Sequence, residues 1–343
     1  MTAGAALHTL LAGRALDMDA TTALFEEVLA GAVPPAQLGG LLVALRMQGE
    51  TADELVGAAR VLRAHAVPVP GVAAEAVDTC GTGGDGAGTF NVSTAAALVV
   101  AGAGVPVAKH GNRAVSGVAG STDVLEALGV VVELPPERLA ACVREVGIAF
   151  LHAPSLHPAL AHVAPTRRAL GIRTIFNLLG PLVNPAGVRR QVVGVPETRW
   201  LEPMAAALGR LGAEHAWVVC GGGGLDELAL DGPSHVARVR GGTMDFIEVR
   251  PGELGLAPAP LAALAVRSVA ESADRIRGVL AGAPGPARDI VCLNAAAALV
   301  VAGASADLRS GLAGAAASID EGHAQRTLDR LRTFTTAAAG SRP

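Results

Sequence analysis

Val77-Asp-Thr-Cys-Gly-Thr-Gly-Gly-Asp-Gly-Ala-Gly-Thr-Phe-Asn-Val-Ser-Thr94 runs from a short apolar strand through a glycine turn into an Ala-rich helix over 95–103. A second strand, 105–108, then ends on Lys109-His-Gly-Asn-Arg113. Strand, glycine turn, helix and next strand form the unit of a parallel sheet covered by helices. Between Gly86 and Thr122 there is no Asp or Glu, while Lys109, His110 and Arg113 all fall inside. Small residues let a backbone approach a ligand closely, and N–H groups at a helix start favour anions. Such a segment suits a polyphosphate.

Gly81, Gly83 and Gly86 make a formal Gly-x-Gly-x-x-Gly. A dinucleotide site needs an acid roughly 20 residues later to hold the ribose, and the first acid after the turn is Asp123. A Walker A loop is excluded because no Gly-Lys-Ser/Thr follows. Alone, the turn reads equally as a flexible connection. Asp85, Thr89 and Asn91-Val92-Ser93-Thr94 tip the balance, since one polar side chain would suffice as a helix cap. An oxyanion site is expected there.

Upstream, residues 5–66 read as helices only, with apolar positions at helical spacing such as Leu38, Leu41, Leu42 and Leu45. Asp53 and Glu54 suit the first turn of the last of these helices. Val67-Pro-Val-Pro70 is a stiff extended hinge. Downstream the pattern alternates, with strands expected at 76–79, 105–108, 130–133, 148–151, 190–195, 215–220 and 243–249. Helices at 274–280, 287–302 and 324–334 close the chain. Because 157–183 again lacks strands, that segment is expected to return to the N-terminal helices. The fold class is therefore α/β: a small, discontinuous helical domain (1–66 with about 157–183) and a large α/β domain (71–156 and 184–343) built on a mainly parallel sheet.

Lys109-His110-Gly111-Asn112-Arg113 ends a strand, so its side chains should emerge at the carboxyl edge of the sheet, where open α/β folds bind ligands. Lys109 offers a phosphate charge and Asn112 an orienting amide. Ser116 and Ser121 continue the small polar lining. Gly221-Gly-Gly-Gly-Leu-Asp226-Glu227 follows another strand. Adjacent carboxylates at a strand end are usually a solvated turn, but beside a polyphosphate they fit Mg²⁺, which shares the substrate's oxygens. Arg167 can clamp a carboxylate with two parallel bonds. The apolar run 171–185 around Gly180-Pro181 gives either a greasy wall or a helix stop. His152, His157 and His162, spaced by five, read as structural or as residues that back a site from behind.

With 51% hydrophobic residues, 17% charged residues and a net charge of −4, any positive potential must be local, which argues against nucleic acid or membranes as partners. The four cysteines are scattered and the N-terminus lacks a secretion signal, so a cytoplasmic protein is expected.

Taken in order, the motifs resemble the anthranilate phosphoribosyltransferases of tryptophan biosynthesis over nearly the whole chain. They are Arg46-Met-Gln-Gly-Glu50, GTGGD (81–85), NVST (91–94), KHGNRAVS (109–116), HPA (157–159), RRALGIRTIFNLLGPLVNP (167–185) and GLDEL (224–228). Val183 and Gly117 depart modestly from the family's usual residues. The resemblance implies a helical domain hinged to an α/β domain, usually a homodimer through the helical domain. It implies transfer of phosphoribosyl from phosphoribosyl pyrophosphate to the anthranilate amine. Carried across, Gly81, Gly84, Asp85, Thr89, Asn91, Val92, Ser93, Thr94, Lys109 and Ser121 would hold the donor. Ser93, Asp226 and Glu227 would hold one or two Mg²⁺. Gly81, His110, Asn112, Arg167 and Gly180 would receive anthranilate.

Substitution at the ribose carbon should pass through an oxocarbenium-like state. The attacking amine is neutral, so no general base is named, and closure about 67–70 is expected to exclude water. Two other readings stay open: a pyrimidine nucleoside phosphorylase, which shares the architecture and needs no metal, and a non-catalytic relative that binds nucleic acid.

Overall fold

The computed structural model describes residues 1–113 and 118–340, so Ser116 and Gly117 lie outside the described residues. Four helices open the chain: α1 (Ala3–Leu11), α2 (Met18–Leu29), α3 (Pro35–Gln48) and α4 (Ala52–Ala64). The start of α4 is fixed by a capping box between Thr51 and Glu54, and Glu54 also accepts from the Leu16 N–H at 3.0 Å. Close crossing of α2 and α4 requires Gly57, where a Cβ would stand 2.6 Å from the Met18 carbonyl oxygen.

The alternating part follows as β1 (Val77–Gly81), α5 (Val92–Gly102), β2 (Val107–Gly111), α6 (Ser121–Ala127), α7 (Pro136–Val146) and β3 (Ile148–His152). The strand-poor return comprises α8 (Ala153–Leu156), α9 (Ala164–Leu170), α10 (Ile175–Leu179) and a short 3-10 turn, Gly180–Val183. Then come β4 (Arg190–Gly194), α11 (Leu201–Arg210), β5 (His215–Cys220), β6 (Ser234–Arg240) and β7 (Thr243–Val249). The chain closes with α12 (Val269–Leu280), α13 (Pro286–Ala302), α14 (Leu308–Asp320) and α15 (His323–Gly340).

The strands form one sheet in the order β3-β2-β1-β4-β5-β6-β7, parallel as far as β5 and antiparallel for β6 and β7. Two expectations need correction. Residues 130–133 form no strand; they are an extended segment pressed against α15, and the Val131 N–H donates to Thr335 Oγ1 at 3.1 Å. The β-branched run is satisfied by burial without a ladder. Conversely, β6 and α14 were not expected. Arg238 and Arg240 mask the apolar face of β6, but the Gly241-Gly242 turn, with φ of 55° and 82°, marks the hairpin to β7.

One face of the sheet is covered by α5, α13 and the C-terminal helices in a single apolar core. The other face carries a core that runs unbroken from the helical bundle through α11 to Val193, Val218 and Ala237 on β4, β5 and β6. The helical region is thus seated on the sheet. The 67–70 segment is held where the chain crosses back: the Val67 N–H donates to the Leu156 carbonyl (2.8 Å) and the Val69 N–H to the Pro185 carbonyl (3.0 Å).

Strand order reverses between β1 and β4, which opens a crevice at their carboxyl ends. Gly81 and Gly194 end these strands side by side, and Asp226 fills the gap over them. A Cβ on Gly194 would stand 1.6 Å from the Asp226 carbonyl oxygen, so only glycine fits. Gly194→Ala should lower stability by about 3 kcal/mol or more. Gly252→Ala, with open space around it, should stay within about 0.5 kcal/mol of the parent in denaturant titration. Equal effects would contradict the packing.

Candidate active site

Asp226 is pinned by the glycine turn it overlies. The Gly83 N–H donates to Asp226 Oδ2 at 2.7 Å, and Gly83 and Gly84 take φ of 67° and 70°, which a side chain would strain. Glu227 then reaches the first turn of α5, where Oε1 accepts from the Ser93 N–H at 3.1 Å. Burial pushes both carboxyls well above the usual carboxylate range. Asp85 beside Asp226, and Asp226 beside Glu227, push the same way. Three acids thus crowd a helix start with too little positive charge to neutralise them.

That arrangement fits Mg²⁺. The donors are hard oxygens, and the Ser93 hydroxyl lies beside Glu227. Among the described residues no three His, Cys, Asp or Glu side chains gather to hold an ion alone. An ion here would complete its shell with substrate oxygens and water.

Lys109 lies 2% exposed beneath this cluster. Its Nζ donates to the Thr79 carbonyl and to Ser93 Oγ, the latter at 3.2 Å. A buried carboxylate near it is Asp78, whose place within the strand 76–79 conceals it in the sequence. Burial pushes the Asp78 carboxyl up to about 6, while Lys109, the Asn184 amide (2.8 Å) and the His110 N–H (3.1 Å) oppose the rise.

Across the sheet edge the chemistry changes. His110 Nδ1 is 3.0 Å from the Gly180 carbonyl, so it carries the proton, and Nε2 is left as a buried acceptor without a partner among the described residues. The ring of His157 lies 5.1 Å away, and its Nε2 is likewise unpartnered. Burial holds both neutral, His110 down to about 3 and His157 to about 4. His157 itself joins the wall here. Arg167 stacks over Phe176 at 5.3 Å, and Phe176 meets Phe25 of α2. Burial lowers the Arg167 pKa, and the guanidinium has no carboxylate partner among the described residues. A desolvated, unpaired cation is a receptor for an anion.

One cavity of ≈ 320 Å³ joins the two sides. Its wall includes Gly81, Gly84, Asp85, Thr89, Asn91, Val92, Ser93, Lys109, His110, Asn112, Ser121, Arg167, Gly180, Asp226 and Glu227. Ser121 can sit there because Gly111 lacks a Cβ, which would meet Ser121 Oγ at 2.3 Å. Thr94 stands behind the wall at 0% exposure. Asn91 is engaged as a brace: Oδ1 accepts from Ser272 Oγ (2.8 Å) and Nδ2 donates to the Ala119 carbonyl (3.0 Å). Arg113 is neutralised by Glu126 and Asp123, at 2.6 and 3.0 Å. Burial pushes the Cys80 thiol up, which removes it as a nucleophile.

Residues 73–325 match the Glycosyl transferase family, a/b domain, and residues 5–66 match the helical bundle domain of the same family. The anthranilate phosphoribosyltransferase of Rhodopseudomonas palustris (strain BisB5) is 50% identical over 325 residues, 95% of this chain and 96% of that one. The chain belongs to the anthranilate phosphoribosyltransferase family. The crystal structure of the Thermus thermophilus member superposes with a TM-score of 0.91 at 44% identity, over 96% of this chain and 99% of that one. The Saccharomyces cerevisiae member, in complex with PRPP and Mg, has a TM-score of 0.84 at 27% identity, over 93% and 92% of the two chains. The nucleoside phosphorylase and nucleic-acid-binding readings are not favoured by these relatives.

The raised carboxyls set a pH dependence. A carboxyl whose folded pKa is raised stabilises the fold while protonated, and loses that contribution as pH rises through its folded value. Metal-free Asp226→Asn/Glu227→Gln should therefore gain Tm over the parent as pH rises from about 5 to about 8, with little gain at the acid end. A Tm difference independent of pH would contradict the crowding.

Proposed function

We propose that the chain transfers the 5-phosphoribosyl group of phosphoribosyl pyrophosphate to the amine of anthranilate, releasing pyrophosphate, as a step of tryptophan biosynthesis. The observation that carries this reading is the unpaired Arg167 guanidinium set across one cavity from the acid pair and glycine turn. The donor takes the side of the turn, with Gly81, Gly84, Asp85, Thr89, Val92, Ser93, Lys109 and Ser121 around its phosphates. Asn91 acts by holding the 118–120 segment in place, and Thr94 acts through its main chain at the α5 start. Asp226, Glu227 and Ser93 would hold one or two Mg²⁺. Bound there, Mg²⁺ supplies neutralisation of the departing diphosphate.

Anthranilate takes the other side. Arg167 receives its carboxylate, Asn112 orients it, and His110, Gly81 and Gly180 line the passage. The α5 amides and Lys109 offset charge that grows on the leaving oxygen. Positioning of a neutral amine against the ribose carbon supplies the remainder, with no general base required. Closure of the helical domain (1–66 with about 157–183) about residues 67–70 would exclude water.

We place the protein in the cytosol, a reading supported by four buried free cysteines; no described helix is long and apolar enough to cross a membrane. It would act as a homodimer through the helical domain. A surface groove of ≈ 650 Å³ between α1, α3 and α9 supports this, with Leu11 70% and Met47 82% exposed beside it.

Fluorescence-monitored consumption of anthranilate, omitting donor or Mg²⁺ in turn, tests the activity; turnover without the donor would refute it. Arg167→Ala should raise the anthranilate KM about a hundredfold while changing the donor KM little. Equal effects would remove the assignment. Met47→Asp should convert a dimer to a monomer by light scattering, whereas a monomeric parent would refute the dimer.

A further inference from the structure

Arg173 stands outside the cavity wall yet grips the donor turn from the far domain. It lies between α9 and α10, six residues after Arg167. Its Nη1 donates to the Gly83 carbonyl, and its Nη2 lies 3.3 Å from Thr82 Oγ1. The same turn is held from below, where the Thr82 N–H donates to the Gly194 carbonyl at 2.9 Å and the Gly83 N–H to Asp226 Oδ2 at 2.7 Å. The peptide between Gly83 and Gly84 is thereby fixed. A trans peptide is planar, so anchoring the Gly83 oxygen on Arg173 sets the Gly84 N–H in the opposite direction.

Nothing local would hold that plane. Gly83 and Gly84 have no side chains to lock, both take positive φ, and both are exposed. Glycine freed from its partners samples many backbone states, and an amide that must be ordered on binding costs affinity. Arg173 supplies order from outside, through a fork that addresses a carbonyl and a hydroxyl together. Its other charged neighbours are Asp226, Arg46, Glu197 and Asp85.

We infer that Arg173 is a positioning residue for the donor's diphosphate: its bidentate grip on Thr82 and Gly83 presets the Gly84 amide as an anion donor. The inference rests on the transferase reading above and goes beyond it, because Arg173 needs no contact with either substrate. Its action through geometry separates it from a residue that contributes charge alone. A lysine there keeps the charge near Asp226 but cannot reach both oxygens with a planar fork.

The test compares the full-length parent with Arg173→Lys and Arg173→Ala. Calorimetric titration with pyrophosphate in the presence of Mg²⁺ should give a Kd about tenfold weaker for both variants, with the donor KM rising by a similar factor. The anthranilate KM should stay within about twofold. Amide exchange in peptides covering 82–88 should quicken in the ligand-free variants. If Arg173→Ala does not fold, Arg173→Lys carries the comparison. Parental pyrophosphate affinity in Arg173→Lys would overturn the inference, as would equal changes in both KM values. A parent that neither turned over nor bound pyrophosphate would remove the functional reading and this inference together. Normal parental turnover with an unaffected Arg173→Lys removes the inference alone.

Discussion

The main chain of Asp226, laid across the ends of β1 and β4, is the contact on which the site depends. It exists because Gly81 and Gly194 leave no side chain in the gap, where the closest approach to a Cβ would be 1.6 Å. From that position Asp226 fastens the glycine turn through Gly83, and Glu227 fastens the start of α5 through Ser93. Two half-buried carboxyls are thereby held close to a third, Asp85. Repulsion among crowded, half-buried carboxyls is unfavourable in the free protein, and the cation and polyphosphate proposed for this site would relieve it.

The sheet edge separates two chemistries. Along β2, Lys109 faces α5 and the acids, while the neighbouring His110 turns to the 3-10 segment Gly180–Val183. Successive residues of a strand point to opposite faces, so under the proposed function one strand would serve donor and acceptor at once. Asp78 on β1 is buried against this strand, close enough to feel the Lys109 charge. On the acceptor side, Arg167 leans on Phe176, which leans on Phe25 of the helical bundle. The bundle thus has a direct mechanical link to the residue proposed to receive the aromatic acid.

Much of this was legible in the sequence, for a physical reason. Glycines with no side-chain role, a long acid-free run and strand-terminal Lys109 are local signals of an anion site, and each falls on the wall of the cavity. The acid pair was legible because its motif follows a strand. What was hidden came from distant partners. Arg173 meets Gly83 across ninety residues, and Asp78 gains its meaning only when Lys109 and Asn184 close on it. Arg113 read as a free cation until α6 brought Glu126 to it. The same limit explains the strands: residues 130–133 have strand chemistry but no neighbouring ladder, whereas β6 hides an apolar face between arginines and is revealed by its Gly-Gly hairpin.

The central claim is that one cavity holds a diphosphate over the Gly81–Ser93 turn and an aromatic carboxylate on Arg167. A crystal structure of the protein with phosphoribosyl pyrophosphate, Mg²⁺ and anthranilate tests it most directly. Diphosphate oxygens should lie between the turn amides and the Asp226–Glu227 pair, with the anthranilate carboxylate forked on Arg167. A diphosphate bound away from the turn, or an anthranilate carboxylate facing away from Arg167, would contradict it.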